Sequence, residues 1–269
     1  MSEDPTSVRD AAVARFVTLV AGDARSGVPL DTAALEIAAA ADPGSDPRPE
    51  ALTELDRLAR GVDDLDDLVR RLYSDEGFTG DTENYGDPRN SSLAQVLRRR
   101  RGIPITLAVL AIEVGRRAGV ALQPVGMPGH FLARPPGSAR HLDPFTGDLV
   151  DTAECEALFR ASTGAGPAVR FGPEFLPVVS TKDVLVRMLA NLRAAHRRAG
   201  HLGELRWVLE MRLALPGVSA VEVLELAEVR GRHAEYRAAG ALLDTWAERL
   251  PDEAARLRRQ ARSWRAHLN

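Results

Sequence analysis

The sequence predicts an α+β fold, in which a helical first part, a buried central helix and a small antiparallel sheet are followed by an all-helical region. The central helix is predicted because residues 103–118 are the most apolar segment, and a helix that is apolar on nearly all sides is buried. The sheet is predicted because short strand-like runs after residue 120 alternate with Pro-Gly and Thr-Gly-Asp turns. From Thr181 onward, only helical periodicity is found.

The first part of the chain is predicted to be helical because apolar residues recur there at helical spacing. The predicted helices cover residues 8–22, 31–41, about 52–59 and 65–73. Residues 74–90 are polar and contain glycine, which predicts a long loop. Ser91 or Ser92 can then cap a helix that ends near Arg100. The arginines 98–101 complement the negative end of that helix, and an anion site is the alternative interpretation.

The central helix is predicted to begin at Pro104, because proline at the first helical position loses no hydrogen bond. Gly119 provides the stop signal. Strands are predicted over 120–125, 130–134 and 140–143, and a further helix begins at Asp151 or Thr152. Gly and Pro are frequent in residues 166–180, which predicts a linker between domains 1–165 and 181–269.

The last domain is predicted to contain two helix pairs and a capping helix. The predicted elements are 183–199 with 202–215, then 219–233 with 235–250, then 252–267. Pro216 and Pro251 end the two pairs, and their separation is close to the ~34-residue period of tetratricopeptide repeats. The domain is therefore predicted to be tetratricopeptide-like.

The composition limits the classes of function. The chain has 269 residues, 45% of them hydrophobic, and a net charge of −3, which argues against nucleic-acid binding. No apolar run approaches the ~20 residues of a membrane span, and the first residues do not resemble a signal peptide, so we expect a cytoplasmic protein without membrane contact. Residues 1–90 hold 20 acidic and 9 basic residues, whereas the remainder holds 18 and 26. We expect the two parts to pair with each other, and a basic binding face is the alternative.

The residues that could carry chemistry concentrate in residues 78–147. A buried helix begins at Pro104, a strand carries His130 directly after a Pro-Gly turn, and the next strand carries Asp143. Thiol enzymes use such a layout, with the nucleophile at a helix N-terminus, a His as base and an acid that orients the His.

Three strings in this region resemble the transglutaminase-like superfamily, and most closely its SirB1-type branch, a bacterial group often joined to tetratricopeptide-like repeats. They are Arg101-Gly-Ile-Pro-Ile-Thr-Leu-Ala, Gly126-Met-Pro-Gly-His-Phe and Asp143-Pro-Phe-Thr-Gly. The resemblance implies a papain/transglutaminase-like core. Catalytic members open the central helix with Gly-x-Cys, so the resemblance puts Pro104 at the nucleophile position. His130 and Asp143 match the other two triad positions and form a remnant dyad.

Six residues are predicted to line the cleft beside this dyad: Asn84, Tyr85, Asn90, Ser91, Pro104 and Thr106. The alternative for Asn84, Asn90 and Ser91 is that their side chains fix the long loop. Thr106 could replace the missing thiol or simply fill the core.

Two further possibilities concern ligands and thiols. His130, His141 and Asp143 could in principle form a three-ligand metal site, but the spacing does not require one, so we expect no metal and no cofactor. Cys155, the single cysteine, is expected to be a small apolar packing residue, and a reactive thiol is the alternative.

The sequence thus predicts a pseudoenzyme, in which the cleft binds an unidentified peptide or protein with a regulatory outcome. One alternative is a hydrolase or acyl transferase that uses a His130–Asp143 dyad. Another is an interaction scaffold that works through the C-terminal repeats.

Overall fold

The computed structural model describes residues 5–22 and 27–268, and the chain divides into two compact units, residues 1–188 and 189–269. The first unit contains seven helices within the described residues: α1 (Pro5–Ala21), α2 (Leu30–Ala41), α3 (Arg48–Ala59), α4 (Leu65–Val69), α5 (Leu93–Arg99), α6 (Pro104–Ala118) and α7 (Thr152–Thr163). The predicted helices of this part are confirmed, with small shifts at their ends. The predicted helix over 65–73 changes after Val69 into one π-helical segment, Arg70–Asp75.

The central helix α6 is confirmed as the core of the first unit. Every residue from Pro104 to Gly115 is buried. Pro104 occupies the first turn, and Gly119 ends the helix in the left-handed conformation, with φ +82°. The helix packs against α2, α3, α4 and α5 and against strands of the two small sheets described next.

Two small sheets lie beside α6. The strands β1 (Thr79–Gly80) and β2 (Arg101–Gly102) pair in parallel. The second sheet is antiparallel, in the order β3 (Gln123–Val125), β4 (Leu132–Arg134), β5 (His141–Leu142) and β6 (Leu149–Val150). The three predicted strands are confirmed but are shorter than predicted, so that His130 precedes β4 and Asp143 follows β5. The other three have only two residues each, too few to show an alternating pattern in the sequence.

Residues 166–180, for which the sequence predicts a linker, pack within the first unit. Val178 forms an isolated bridge with Val125, and the Val179 N–H donates to the Pro124 carbonyl. Phe171 and Phe175 pack on Phe159 of α7. The sequence does not predict this packing, because the segment is rich in Gly and Pro and its apolar residues follow neither a helix nor a strand period. The assignment of domains 1–165 and 181–269 stays a prediction, and residues 1 and 269 lie outside the described part.

The helices of the last region are confirmed. Helix α8 (Thr181–Arg198) begins in the first unit, and the second unit continues with α9 (Leu205–Leu213), α10 (Ala220–Arg232), α11 (Tyr236–Arg249) and α12 (Ala254–Ala266). Between α9 and α10, the Arg212 side chain donates to the carbonyls of Pro216 and Gly217 and pairs with Glu222. The buried guanidinium thereby fixes the turn.

Part of the uneven charge is paired inside the first unit, as expected. Arginines that follow residue 97 pair with acids that precede residue 84: Arg98 with Glu50, Arg99 with Asp81, Arg100 with Glu54 and Glu76, Arg101 with Glu83, Arg116 with Asp31, and Arg117 with Asp31 and Asp56. In the described part of the chain, no helix is long and apolar enough to cross a membrane.

Candidate functional site

A cavity of about 340 Å³ opens at the N-terminus of α6. Six residues line it: Tyr85, Pro104, Gly129, His130, Phe145 and Ser162. They come from the long loop, the central helix, the Pro-Gly turn, the β5–β6 turn and α7. Residues from distant parts of the sequence therefore meet at this cavity, next to Pro104, the predicted nucleophile position.

His130 and Asp143 are hydrogen-bonded at this cavity. The His130 Nε2 lies 2.8 Å from the Asp143 Oδ1, and the same oxygen accepts the Phe145 N–H at 2.9 Å. Asp143 is 2% exposed, whereas the His130 side chain is 11% exposed. A carboxylate only accepts hydrogen bonds, so Nε2 donates and Nδ1 is the ring nitrogen that Asp143 leaves unbonded.

The turn that carries His130 is fixed by a hydrogen bond within the turn and by its close packing against α7. The His130 N–H donates to the Met127 carbonyl across Pro128 and Gly129, and Gly129 has φ +75°. A Cβ on Gly129 would lie 2.6 Å from the Ser162 Oγ, so the close approach of α7 also requires glycine.

The side chain of Arg187, in α8, fixes the same turn by bonding to its main-chain carbonyls. Its guanidinium donates to the carbonyls of Met127 and His130, at 2.8 Å each, and lies 5.3 Å from the Phe131 ring centroid. Burial lowers the pKa of Arg187 from its ordinary value. The sequence gives no signal for this contact, because Arg187 looks like any polar residue on an amphipathic helix.

Phe145 forms one wall of the cavity and depends on Gly80. A Cβ on Gly80 would lie 2.3 Å from the Phe145 ring, and the Gly80 N–H donates to the Phe145 carbonyl at 2.8 Å. The ring centroid of Phe145 lies 6.2 Å from that of Tyr85 and 6.3 Å from that of His130. Phe145 stands in the Asp143-Pro-Phe-Thr-Gly string, which could have identified it.

Tyr73 packs against Gly147, four residues after Asp143. Its ring occupies the space that a Cβ on Gly147 would need, at 2.4 Å. Burial, and then the Asp143 carboxylate, raise the pKa of Tyr73 far above its ordinary value. Tyr73 stands in the π-helical segment after α4, a departure from regular helix that the sequence pattern does not reveal.

Of the six predicted cleft residues, Tyr85 and Pro104 line the cavity. Thr106 is fully buried in α6, and its hydroxyl has no hydrogen-bond partner among the described residues. It therefore fills the core and does not replace the missing thiol at the cavity wall.

Asn90 and Ser91 are buried, Asn84 is exposed, and none of the three is among the residues that line the cavity. The Asn90 Nδ2 donates to the Asn84 carbonyl, and its Oδ1 accepts from Arg99. Asp81 accepts from the Asn84 N–H and from Arg99. Burial raises the pKa of Asp81, but these hydrogen bonds outweigh burial and lower the pKa overall. The bonds fix the loop that carries Tyr85.

His141 and Cys155 do not join the cavity. His141 is buried in β5, and neither ring nitrogen has a hydrogen-bond partner in the described structure. Across residues 5–22 and 27–268, no group of three His, Cys, Asp or Glu side chains could hold a metal ion. Cys155 is fully buried, and burial, followed by Asp151, raises the pKa of its thiol to about 11. This thiol is protonated at neutral pH and packs as an apolar group.

The residues of this cavity lie within a segment that matches a known protein family. Residues 29–190 match the family described as the transglutaminase-like superfamily. The chain belongs to the transglutaminase-like superfamily. The match includes Pro104, His130 and Asp143, so the superfamily segment contains the whole cavity.

Relatives of this transglutaminase-like chain occur in bacteria and in mammals. A UPF0162 protein of Pseudomonas aeruginosa is 39% identical over 183 residues, which are 64% of this chain and 66% of that protein. A UPF0162 protein of Vibrio cholerae is 33% identical over 148 residues, 54% of this chain and 52% of that protein. Human F-box only protein 21 is 34% identical over 147 residues, 51% of this chain and 22% of that protein. The chain thus spans two thirds or less of each of these relatives, and no solved structure matches it.

The chemistry available to this superfamily member follows from the cavity wall. His130 and Asp143 have the geometry of a base and its orienting acid. Pro104 offers neither a thiol nor a main-chain N–H, and the only cysteine is buried elsewhere. A larger groove of about 560 Å³ lies between α3 and α5, but Glu50–Arg98 and Glu54–Arg100 ion pairs occupy its rim, and no triad position lines it.

Proposed function

We propose that this chain is a non-catalytic, SirB1-type member of the superfamily that binds a peptide or protein segment in the cavity at Pro104. The observation that carries the proposal is that Pro104 and His130 line the same cavity. Pro104, at the nucleophile position, can neither attack a carbonyl nor donate a proton. In this proposal, binding has a regulatory outcome. We also propose that the helical second unit is a tetratricopeptide-like domain and that the protein is cytoplasmic.

The character of the cavity supports binding of a peptide. Its walls combine the rings of Tyr85, Pro104 and Phe145 with two polar groups, the imidazole of His130 and the hydroxyl of Ser162. Binding sites are commonly apolar, with a few polar groups that orient the ligand. Tyr85 is 50% exposed, so a ligand can reach the cavity past its ring.

The absence of catalysis is tested with the purified full chain. The chain is incubated with amine and glutamine donors and with general peptide substrates, beside His130→Ala. We expect no turnover by either protein. Turnover by the original chain that His130→Ala abolishes would overturn the proposal.

Binding is tested by selection from a random peptide display library. We expect enriched peptides that bind the original chain, lose binding to Tyr85→Ala, and keep binding to Val169→Ala, a matched change at an exposed residue outside the cavity. Enriched peptides that bind both variants equally would place recognition outside the cavity and contradict the proposal.

A second candidate function is a hydrolase or acyl transferase that uses the His130–Asp143 dyad. The 2.8 Å hydrogen bond between the two side chains favours it, because such a bond orients a general base. This function predicts turnover that Asp143→Asn and His130→Ala abolish and that Cys155→Ala does not change. Loss of turnover in Cys155→Ala, with its fold intact, would contradict it.

A further inference from the structure

The last helix of the second unit carries an unusual charge pattern. Helix α12 contains five arginines and no acidic residue. Arg256 pairs with Glu253, and Arg265 pairs with Asp244. The other three, Arg258, Arg259 and Arg262, are exposed and form no ion pair within the described part of the chain. We call these three residues the arginine row.

The arginine row lies away from the core of the second unit. Leu257 and Ala261 are buried. The Trp264 ring packs against Gly231, so closely that a Cβ on this glycine would lie 2.4 Å from the ring. At 100° per residue, these three positions form one stripe, and Arg259 and Arg262 point to the opposite side. The apolar stripe is thus fully used against α10 and α11.

Most other arginines of the second unit have carboxylate partners. The paired ones include Arg193, Arg206, Arg212, Arg230 and Arg232. By contrast, the arginine row places like charges at i, i+3 and i, i+4, an arrangement that destabilises a helix. A partner that brings carboxylates to this row would remove the repulsion.

We propose that the outer face of α12 binds an acidic segment of another protein, whose carboxylates pair with Arg258, Arg259 and Arg262. A guanidinium binds a carboxylate through two parallel hydrogen bonds, which suits such a partner. Ala255 and Ala266 are exposed on the same face, and their small side chains let the main chain of the partner come close. This proposal involves none of the residues that line the cavity at Pro104 and does not depend on the function of that cavity.

The surroundings of the row favour a protein partner over nucleic acid or membrane. Tyr236, Trp264 and His267 stack on one another, so these rings are not placed for stacking with bases. A membrane-surface helix needs a free apolar face, whereas the apolar stripe of α12 is packed internally. The chain as a whole is also acidic.

The test measures fluorescence anisotropy of a labelled helical Glu/Ala peptide with the full chain at low ionic strength. We expect binding that the triple variant Arg258→Gln, Arg259→Gln and Arg262→Gln weakens about tenfold, since three exposed ion pairs are lost. The matched control changes Arg60, Arg170 and Arg198 to Gln. These are exposed arginines without ion pairs in the described structure, and their loss should change the affinity less than twofold. Circular dichroism checks that both triple variants keep their helix content.

Four outcomes would overturn the proposal. The first is the absence of peptide binding, and the second is equal weakening by the control, which would show a response to net charge only. The third is tighter binding of a DNA duplex or of vesicles with anionic lipid than of the peptide. The fourth is salt-sensitive self-association in sedimentation that the arginine-row variant abolishes, because the occupant would then be a second copy of this chain.

Discussion

The side chain of Arg187 donates a 2.8 Å hydrogen bond to the main-chain carbonyl of His130, 57 positions earlier in the chain. A second bond of equal length goes to the Met127 carbonyl, so one buried guanidinium spans the whole Pro-Gly turn. Among residues 5–22 and 27–268, no carboxylate pairs with this guanidinium. The orientation of His130 at the cavity therefore depends on a residue of α8.

Replacement of Arg187 by Gln is expected to loosen this turn. Loss of the two charge-assisted hydrogen bonds should lower the free energy of unfolding by about 2–4 kcal/mol. The His130 ring signals in NMR spectra should shift, and hydrogen exchange of residues 127–131 should accelerate. Arg198→Gln, an exposed change in the same helix, should alter none of these. If Arg187→Gln lowers stability but leaves the His130 signals in place, Arg187 does not position the ring.

Pro104→Cys is expected to place a reactive thiol in the cavity. The helix N-terminus and the nearby His130 both stabilise a thiolate, so the introduced thiol should have a pKa below the usual ~8.5. The rate of alkylation by iodoacetamide as a function of pH measures that pKa. The original chain is the control, since its buried Cys155 has a raised pKa and should not react. Adding His130→Ala should raise the pKa of the introduced thiol, and an unchanged pH profile would show that His130 does not face it.

Gly80→Ala is expected to disturb the cavity wall. The new Cβ would lie 2.3 Å from the Phe145 ring, so the ring must move, at a cost of about 1–3 kcal/mol in the free energy of unfolding. The matched control is Gly166→Ala, where no atom of the described residues, apart from its two chain neighbours, lies within 4 Å of the added Cβ, and it should stay within about 0.5 kcal/mol. Chemical denaturation measures both changes. Equal stability of the two variants would show that the close packing of Phe145 on Gly80 does not contribute to the stability of the fold.

His141 is expected to make the fold sensitive to acid. Burial, and then the nearby Arg134, lower the pKa of His141 in the folded state, whereas the unfolded chain binds the proton near pH 6.5. Stability is therefore full above about pH 6.5 and falls as the pH drops toward the folded-state pKa, by up to about 1.4 kcal/mol per pH unit.

His141→Leu should remove this part of the pH dependence. Melting temperatures between pH 7 and pH 5 measure the effect, and His233→Leu, at an exposed residue, is the control. The same slope in His141→Leu as in the original chain would assign the acid sensitivity to other groups.

The sequence predicts the local elements of the site well. Pro104 at the start of the most apolar segment indicates a buried helix start, because proline and apolar periodicity act within a few residues. The Pro-Gly turn before His130 and the strand before Asp143 are equally local signals. Such signals are enough to place the two side chains beside neighbouring strands, although the 2.8 Å bond itself needs the folded sheet.

The remaining site residues are set by tertiary packing. Ser162 and Arg187 reach the turn from helices that give no sequence sign of that contact. Asn84 and Asn90 are polar residues near the motif, yet Asn90 donates to the Asn84 carbonyl and accepts from Arg99, so its side chain fixes the loop and does not reach the cavity. The residue types thus predict which chemistry is possible, and the packing decides which side chains reach the cavity.

Proline at the first position of α6 has an electrostatic consequence beyond the missing nucleophile. The first residues of a helix have free main-chain N–H groups, and these stabilise negative charge that develops on a reacting carbonyl oxygen. Pro104 has no N–H, so a tetrahedral oxyanion at this wall would find one donor fewer. A single residue thus withholds both the attacking atom and part of the stabilisation of the transition state, and Pro104→Cys would restore the two together.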